Sequence, residues 1–210
     1  AAAGTDTHTA LSTADENNWF GKLRSSEPNP ERWDHLFQKE KSYVRKDWTL
    51  SAAGYMGVWA TANTRDAIWD AMNRRETYAT SGPRMTLRFF GGYGFGEADA
   101  RPNQVVAAGY RKGVPMGGDL RAAGAGHVPT FLIAAMKDPI GANLDRVQIV
   151  KGWVDGAGKT HEQVFNVLWC DSGRRKLAGG KLPAVGGTVD VSAAPHKNNI
   201  DGDGVLCMII

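Results

Sequence analysis

Cysteine is scarce in this chain: Cys170 and Cys207 are the only two in 210 residues. They form neither a CxxC unit nor the dense, even framework of a small disulfide scaffold, so cysteine usage leaves the redox compartment open. Long apolar runs are missing too. None reaches the ~18 residues that a membrane-spanning helix needs, and Ala1-Ala2-Ala3-Gly4 lacks the charged and hydrophobic regions of a signal peptide. Nor does one sign of charge dominate. The 25 basic and 22 acidic residues leave +3, too small and too dispersed to argue for nucleic acid or an anionic membrane surface. Nucleic acid and a membrane surface are therefore not the expected partners.

Other absences narrow the chemistry. There is no Gly-x-Ser-x-Gly elbow, so a catalytic serine at a strand-to-helix corner is not expected. His35, His127, His161 and His196 show no HxH or HxxxH spacing and are expected on the surface or in loops, not as ligands. Gly92-Tyr93-Gly94-Phe95-Gly96 lacks the spacing of a dinucleotide fingerprint and reads as a glycine-rich β connection with no helix after it. Asn198-Asn199-Ile200-Asp201-Gly202-Asp203-Gly204 has no closing Glu of a calcium loop and reads as a turn.

What is present is globular: 42% hydrophobic residues with 7 Trp and 26 Gly, enough for one large domain or two small ones. Residues 9–22 suit a loop and short helix, and the charged, proline-bearing stretch 23–48 a solvated loop with a short helix. Ala67, Ile68, Ala71 and Met72 recur at helical spacing, predicting a helix over 65–75 with Thr64 as its N-cap. After it the punctuation is that of a β domain. Residues 86–90, 130–136, 147–153 and 163–169 are strand candidates, residues 115–120 read as a tight turn, and Gly156-Ala157-Gly158-Lys159 is a natural hairpin connection. Short strands and dense turns argue an α+β chain ending in a β-sandwich-like antiparallel domain.

Two constellations could carry chemistry. In Asp6-Thr7-His8 a carboxylate and an imidazole at i and i+2 point to one side of an extended segment, where both can reach one divalent cation. The alternative at that spacing is a turn whose Asp bonds its own backbone. Thr80-Ser81-Gly82-Pro83-Arg84 combines a turn, two hydroxyls and a guanidinium, an anion-binding corner in which Ser81 and Arg84 would meet phosphate or carboxylate. Here the alternative is a plain helix-to-strand connection with Arg84 in a surface ion pair.

Taken in order, these motifs resemble a known family. Gly4-Thr5-Asp6-Thr7-His8, Glu16-Asn17-Asn18-Trp19-Phe20-Gly21-Lys22, Ser51-Ala52-Ala53-Gly54, Glu76-Thr77-Tyr78-Ala79-Thr80-Ser81-Gly82-Pro83-Arg84, Gly113-Val114-Pro115-Met116-Gly117-Gly118-Asp119-Leu120 and Ala142-Asn143-Leu144-Asp145-Arg146-Val147 are similar to the bacterial family catalogued as domain of unknown function 3604. The likeness runs to about Val191, beyond which the tail ending Val205-Leu206-Cys207-Met208-Ile209-Ile210 departs from it, as a truncated or frame-shifted end would.

The resemblance implies a relation to the polymerase-and-histidinol-phosphatase (PHP) superfamily of metal-dependent phosphoesterases. On that basis residues 1–84 are expected to be the last strand and helices of a truncated PHP-like β/α barrel, and residues 85–210 a β-rich domain. Asp6 and His8 stand where relatives place metal ligands, and the implied cofactor is a divalent metal, zinc, manganese or iron, in the intact protein. Relatives carry their other ligands upstream of this segment, and the first residue here is not Met, so the chain is expected to be a piece of a longer protein, inactive by itself and not required to hold metal. The implied activity is hydrolysis of a phosphate or related ester. The runner-up is a non-catalytic β-rich accessory or ligand-binding module, with Trp59, Tyr93, Phe95, Trp153 and Trp169 packing a core or facing a ligand; a third reading is a degraded remnant. Export to the periplasm or beyond is an expectation from the relatives alone.

Overall fold

The computed structural model describes residues 1–4, 36–39, 44–46, 54–183, 185 and 203–210. The chain divides into two compact units, residues 1–84 and 85–210, and is of mixed α+β class with antiparallel sheets.

In the first unit β1 (Leu36–Lys39) pairs antiparallel with β2 (Val44–Lys46), where the charged composition suggests a loop and short helix. Alternating side chains let a polar strand form wherever a partner strand takes its backbone groups, so charge alone does not exclude it. β3 (Tyr55–Val58) pairs with the strand that follows α1 (Arg65–Asn73), namely β4 (Thr77–Thr80). The helix starts as its sequence predicts. Thr64 is extended and its hydroxyl accepts the Ala67 N–H at 3.3 Å, and the helix ends at Arg74, whose N–H reaches the Asp70 carbonyl. Across the β3–β4 ribbon Gly57 faces Tyr78, and the Tyr78 ring occupies the space a side chain on Gly57 would need. That ring also packs on Trp59, with centroids 5.8 Å apart.

The second unit is built on a four-stranded sheet. β5 (Thr86–Gly92) is followed by a 3-10 turn (Glu97–Ala100), then by α2 (Val105–Lys112), β6 (Gly113–Pro115) and β7 (Thr130–Met136). β8 (Arg146–Val154) and β9 (Thr160–Trp169) form a separate hairpin, and β10 (Val205–Ile209) completes the sheet in the order β10-β7-β5-β6. Where a sandwich is expected, helices cover the sheet instead. Phe90 and Leu132 pack on Val105, Ala108 and Phe95, with Ala134, Cys207 and Ile209 beside them. Register explains the set: Phe90 opposes Leu132, and every second residue outward along each strand lies on the same face.

α2 corrects the expectation of a helix-free connection, and it gives the glycine run its reason. Gly92 and Gly113 are paired across β5 and β6, and a β-carbon at either would meet the Phe95 ring, within 2.9 Å from Gly92 and 2.8 Å from Gly113. The glycines form a bay for Phe95, which is buried, rather than a cradle for phosphate. β10 corrects the reading of the tail. Far from departing, Val205 to Ile209 match Met136 to Leu132 residue for residue.

Candidate functional site

Asp6 and His8 lie outside the described residues, but the segment that leads to them does not. The Thr77 hydroxyl donates to the Ala1 carbonyl at 2.8 Å. Three residues further along β4, a β-carbon on Gly54 would stand 2.9 Å from the Ala3 β-carbon, 2.9 Å from the Thr80 carbonyl oxygen and 3.6 Å from the Gly4 oxygen. Residues 1–4 therefore advance along β4 in its own direction, from Thr77 toward Thr80. Gly4 arrives at the end of the strand that runs on into Ser81-Gly82-Pro83-Arg84.

At that end Ser81 and Arg84 are both exposed. Gly82 takes a φ of 121°, a conformation costly for any side chain, and its N–H points to the Thr80 hydroxyl at 3.4 Å. Thr80 thus fastens the turn. What it presents outward is the Ser81 hydroxyl and the Arg84 guanidinium, which suits an anion better than a neutral group. Nearby in sequence, Arg65, Asp66, Ile68, Trp69 and Met72 of α1 line an open groove of about 670 Å³, and Trp69 is 62% exposed.

Two larger polar clusters stand out among the described residues of the second unit. At the hairpin end Asp155 accepts the N–H groups of Ala157 at 2.9 Å and Lys159 at 3.0 Å on one oxygen, while its other oxygen meets His161 Nε2 at 2.7 Å. The His161 hydrogen bond, then those of the two amides, holds the Asp155 carboxyl below the ordinary carboxylate range. His161 also stacks on Trp153 with centroids 5.1 Å apart, and Lys151 Nζ stands 5.3 Å from that ring. An imidazole beside a carboxylate can serve as a base, yet this carboxylate is occupied by its own turn. The arrangement is a fastening for the hairpin. His161 is half-buried in a strand rather than a surface loop residue, and drawing the hairpin register from Gly156-Ala157-Gly158 would have exposed the pair.

The other cluster surrounds Arg175, 8% exposed. Its guanidinium donates to the Pro183 carbonyl at 2.6 Å and the Cys170 carbonyl at 3.3 Å, contacts Cys170 Sγ at 3.1 Å, and stands 2.7 Å from Asp145 Oδ1. The last contact is an ion pair without hydrogen-bond alignment, since Oδ1 accepts no aligned donor. Asp99 is handled in the same way: the Gly96 N–H at 2.8 Å, then Lys112 Nζ at 2.6 Å, hold its buried carboxyl below the usual range. Burial pushes the Cys207 thiol up. These groups tie loops together.

Among the described residues no group of three or more His, Cys, Asp or Glu side chains could hold a metal ion, and no helix is long and apolar enough to cross a membrane. No curated protein and no solved structure matches the chain. One family profile does, and it includes the tail that was expected to fall outside it. The chain belongs to the family described as Protein of unknown function (DUF3604), whose model matches residues 1–209.

Proposed function

We propose that this chain is part of a metal-dependent hydrolase of phosphate or related esters, related to the PHP phosphoesterases and inactive as this chain alone, in which residues 1–84 belong to the catalytic β/α part and residues 85–210 are an accessory β-rich unit. The observation that carries the reading is the direction of residues 1–4 along β4. Gly4, two residues before Asp6 in the sequence, stands at the Thr80 end of β4, and the strand runs on from there into Ser81 and Arg84.

A carboxylate oxygen and an imidazole nitrogen are a donor set that suits zinc, manganese or iron. Asp6 and His8 would supply two ligands, and a hydrolytic centre takes three or more, so the remainder come from outside the described residues. Bound there, a divalent cation lowers the pKa of a coordinated water toward neutrality and offsets charge on the ester oxygens. The chain's own part is to hold and orient. Asp6 and His8 fix the cation's place, Arg84 offers paired N–H donors to the anionic group, and Ser81 adds a hydroxyl donor.

The test is hydrolysis of phosphomonoester and phosphodiester substrates by the metal-supplemented intact protein. Asp6→Ala with His8→Ala should abolish turnover, while Arg84→Ala should act mainly on KM, raising it about tenfold for the loss of one charge-assisted contact. Turnover indifferent to both changes would end the reading.

One observation favours the alternative of a ligand-binding module: Trp153 is 40% exposed on the β8–β9 hairpin, beside Lys151. The other aromatics named for that role do not join it. Phe95 is buried, and Trp59, Tyr93 and Trp169 are half-buried.

A further inference from the structure

We infer that the outer edge of β10 pairs antiparallel with the same strand of a second copy of this chain, about a two-fold axis at Cys207, joining two four-stranded sheets into one. Among the described residues β10 stands at one end of the sheet order β10-β7-β5-β6. Its bonds to β7 decide which backbone groups look outward. Ile210 and Phe131 exchange both N–H···O bonds, at 3.0 and 2.9 Å, and at the other end the Lys137 N–H reaches the Gly204 carbonyl at 2.9 Å. Antiparallel pairs alternate, so the even-numbered residues of the strand turn their N–H and C=O groups to β7. Val205, Cys207 and Ile209 turn theirs away from it.

Sheet edges that stay single are guarded by short strands, prolines, charges or bulges. The opposite edge of this sheet is guarded: β6 has three residues and ends in Pro115. β10 has none of these devices. It runs for five residues without charge or proline, and its register on β7 advances residue for residue with no bulge. The occupant that fits is the strand itself. With Cys207 opposite Cys207 of the second copy, Val205 falls opposite Ile209 and Leu206 opposite Met208. No like charges meet, and the outward residues make about six N–H···O bonds. The apolar layer favours the same register. On the face that meets α2, Ile209 lies beside Leu132, which is 0% exposed, whereas Val205 lies beside Met136 and both are 46% exposed. The layer is thus closed at one end of β10 and open at the other. The two-fold pairing sets Val205 and Met136 in one row with Ile209 and Leu132 of the second copy, so that each closed end continues the other's open end. A five-residue edge falls short of the roughly 800 Å² per partner of a standard interface, so the dimer is a weak one, dissociating at about 10–100 µM. The pairing does not depend on the hydrolase reading.

The experiment is analytical ultracentrifugation of the whole chain at about 5 and about 500 µM, either side of the expected dissociation range, with residue-resolved amide exchange at both concentrations. Val205→Lys sets a charge against Ile209 of the second copy. Val205→Pro removes an outward N–H at the first residue of the strand, where β7 loses no bond. Val154→Lys, at a position 63% exposed on the β8–β9 hairpin, is the control. Wild type and Val154→Lys should dimerise reversibly, and both Val205 variants should dissociate at a concentration at least about tenfold higher. In the wild type the amides of Cys207 and Ile209 should exchange about three- to sevenfold more slowly at the higher concentration, while those of Leu206 and Met208 are protected at both.

A wild type that is monomeric throughout overturns the inference, whether the Cys207 and Ile209 amides exchange freely, as on an open edge, or are protected at both concentrations, as on an edge covered within its own chain. So does a dimer that survives both Val205 variants. A dimer lost in Val154→Lys overturns it too, by placing the interface on the hairpin. If the Val205 variants do not fold, the concentration dependence of Cys207 and Ile209 exchange in the wild type decides: its presence upholds the pairing and its absence overturns it.

Discussion

The ring of Phe90 lies against Gly109, so close that a β-carbon at this helix position would overlap the ring. Phe90 is 1% exposed and sits at the centre of the second unit's core. Replacing Gly109 by Ala sets two effects against each other. Helix propensity favours Ala by ~1 kcal/mol, whereas forcing a methyl into a filled core costs about 1–3 kcal/mol. The steric cost prevails because a ring on a central strand of a four-stranded sheet has nowhere to retreat. Denaturant unfolding should show Gly109→Ala net destabilised by about 1 kcal/mol, and a stabilised variant would mean that α2 stands further from β5.

Arg175 should be irreplaceable by either an apolar or a cationic side chain. Met in its place leaves the carbonyls of Pro183 and Cys170 without this donor and Asp145 Oδ1 without its ion-pair partner, while Asp145 Oδ2 keeps the Arg146 Nε–H at 2.7 Å. Breaking such a pair from one side costs about 3–5 kcal/mol when fully buried, and we expect about 3 here because the Asp145 side chain is 34% exposed. Lys should recover little, since one ammonium cannot serve groups spread around a planar fork. Thermal melts of Arg175→Met and Arg175→Lys check this, with equal melting of Lys and wild type as the contrary outcome.

The hairpin end should loosen in acid. The Asp155 carboxyl is held below its ordinary value first by His161, then by the Lys159 and Ala157 amides. A carboxyl whose folded pKa is depressed contributes its stability above the unfolded value of about 3.9, and loses it as pH falls through the folded value. The protection factors of the Ala157 and Lys159 amides, taken relative to the intrinsic exchange rate at each pH, should therefore be high at neutral pH and fall below about 4, with Asp155→Asn removing that fall. Protection that is flat down to acid would show that the carboxylate's charge is not what holds the turn.

Legibility in the sequence followed the range of the interactions. α1 was readable because its signals are local: a Thr64 cap and apolar residues at helical spacing. The hairpin and β7 were readable because alternating strands sit between turn residues. α2 was not, because Gly109 lowers its local propensity and the helix is held by packing on Phe90, a residue 19 positions away. β10 was not, because Val205–Ile209 looks like an apolar tail until β7, some 70 residues earlier, supplies its partner. Ser81 and Arg84 were placed on a turn by their neighbours Gly82 and Pro83, and that turn is present. The seat of residues 1–4 was invisible, since nothing in Gly54 itself says which backbone will lie against it.

Metal content per chain, measured by elemental analysis after exhaustive dialysis on the intact wild-type protein and on its Asp6→Ala, His8→Ala double variant, decides whether these two residues are ligands. In the intact protein zinc, manganese or iron is expected in stoichiometric amount in the wild type and lost in the variant, while the thermal midpoint of the second unit stays unchanged. Equal metal content in the two proteins, whether both hold it or neither does, would contradict the assignment of Asp6 and His8 as ligands.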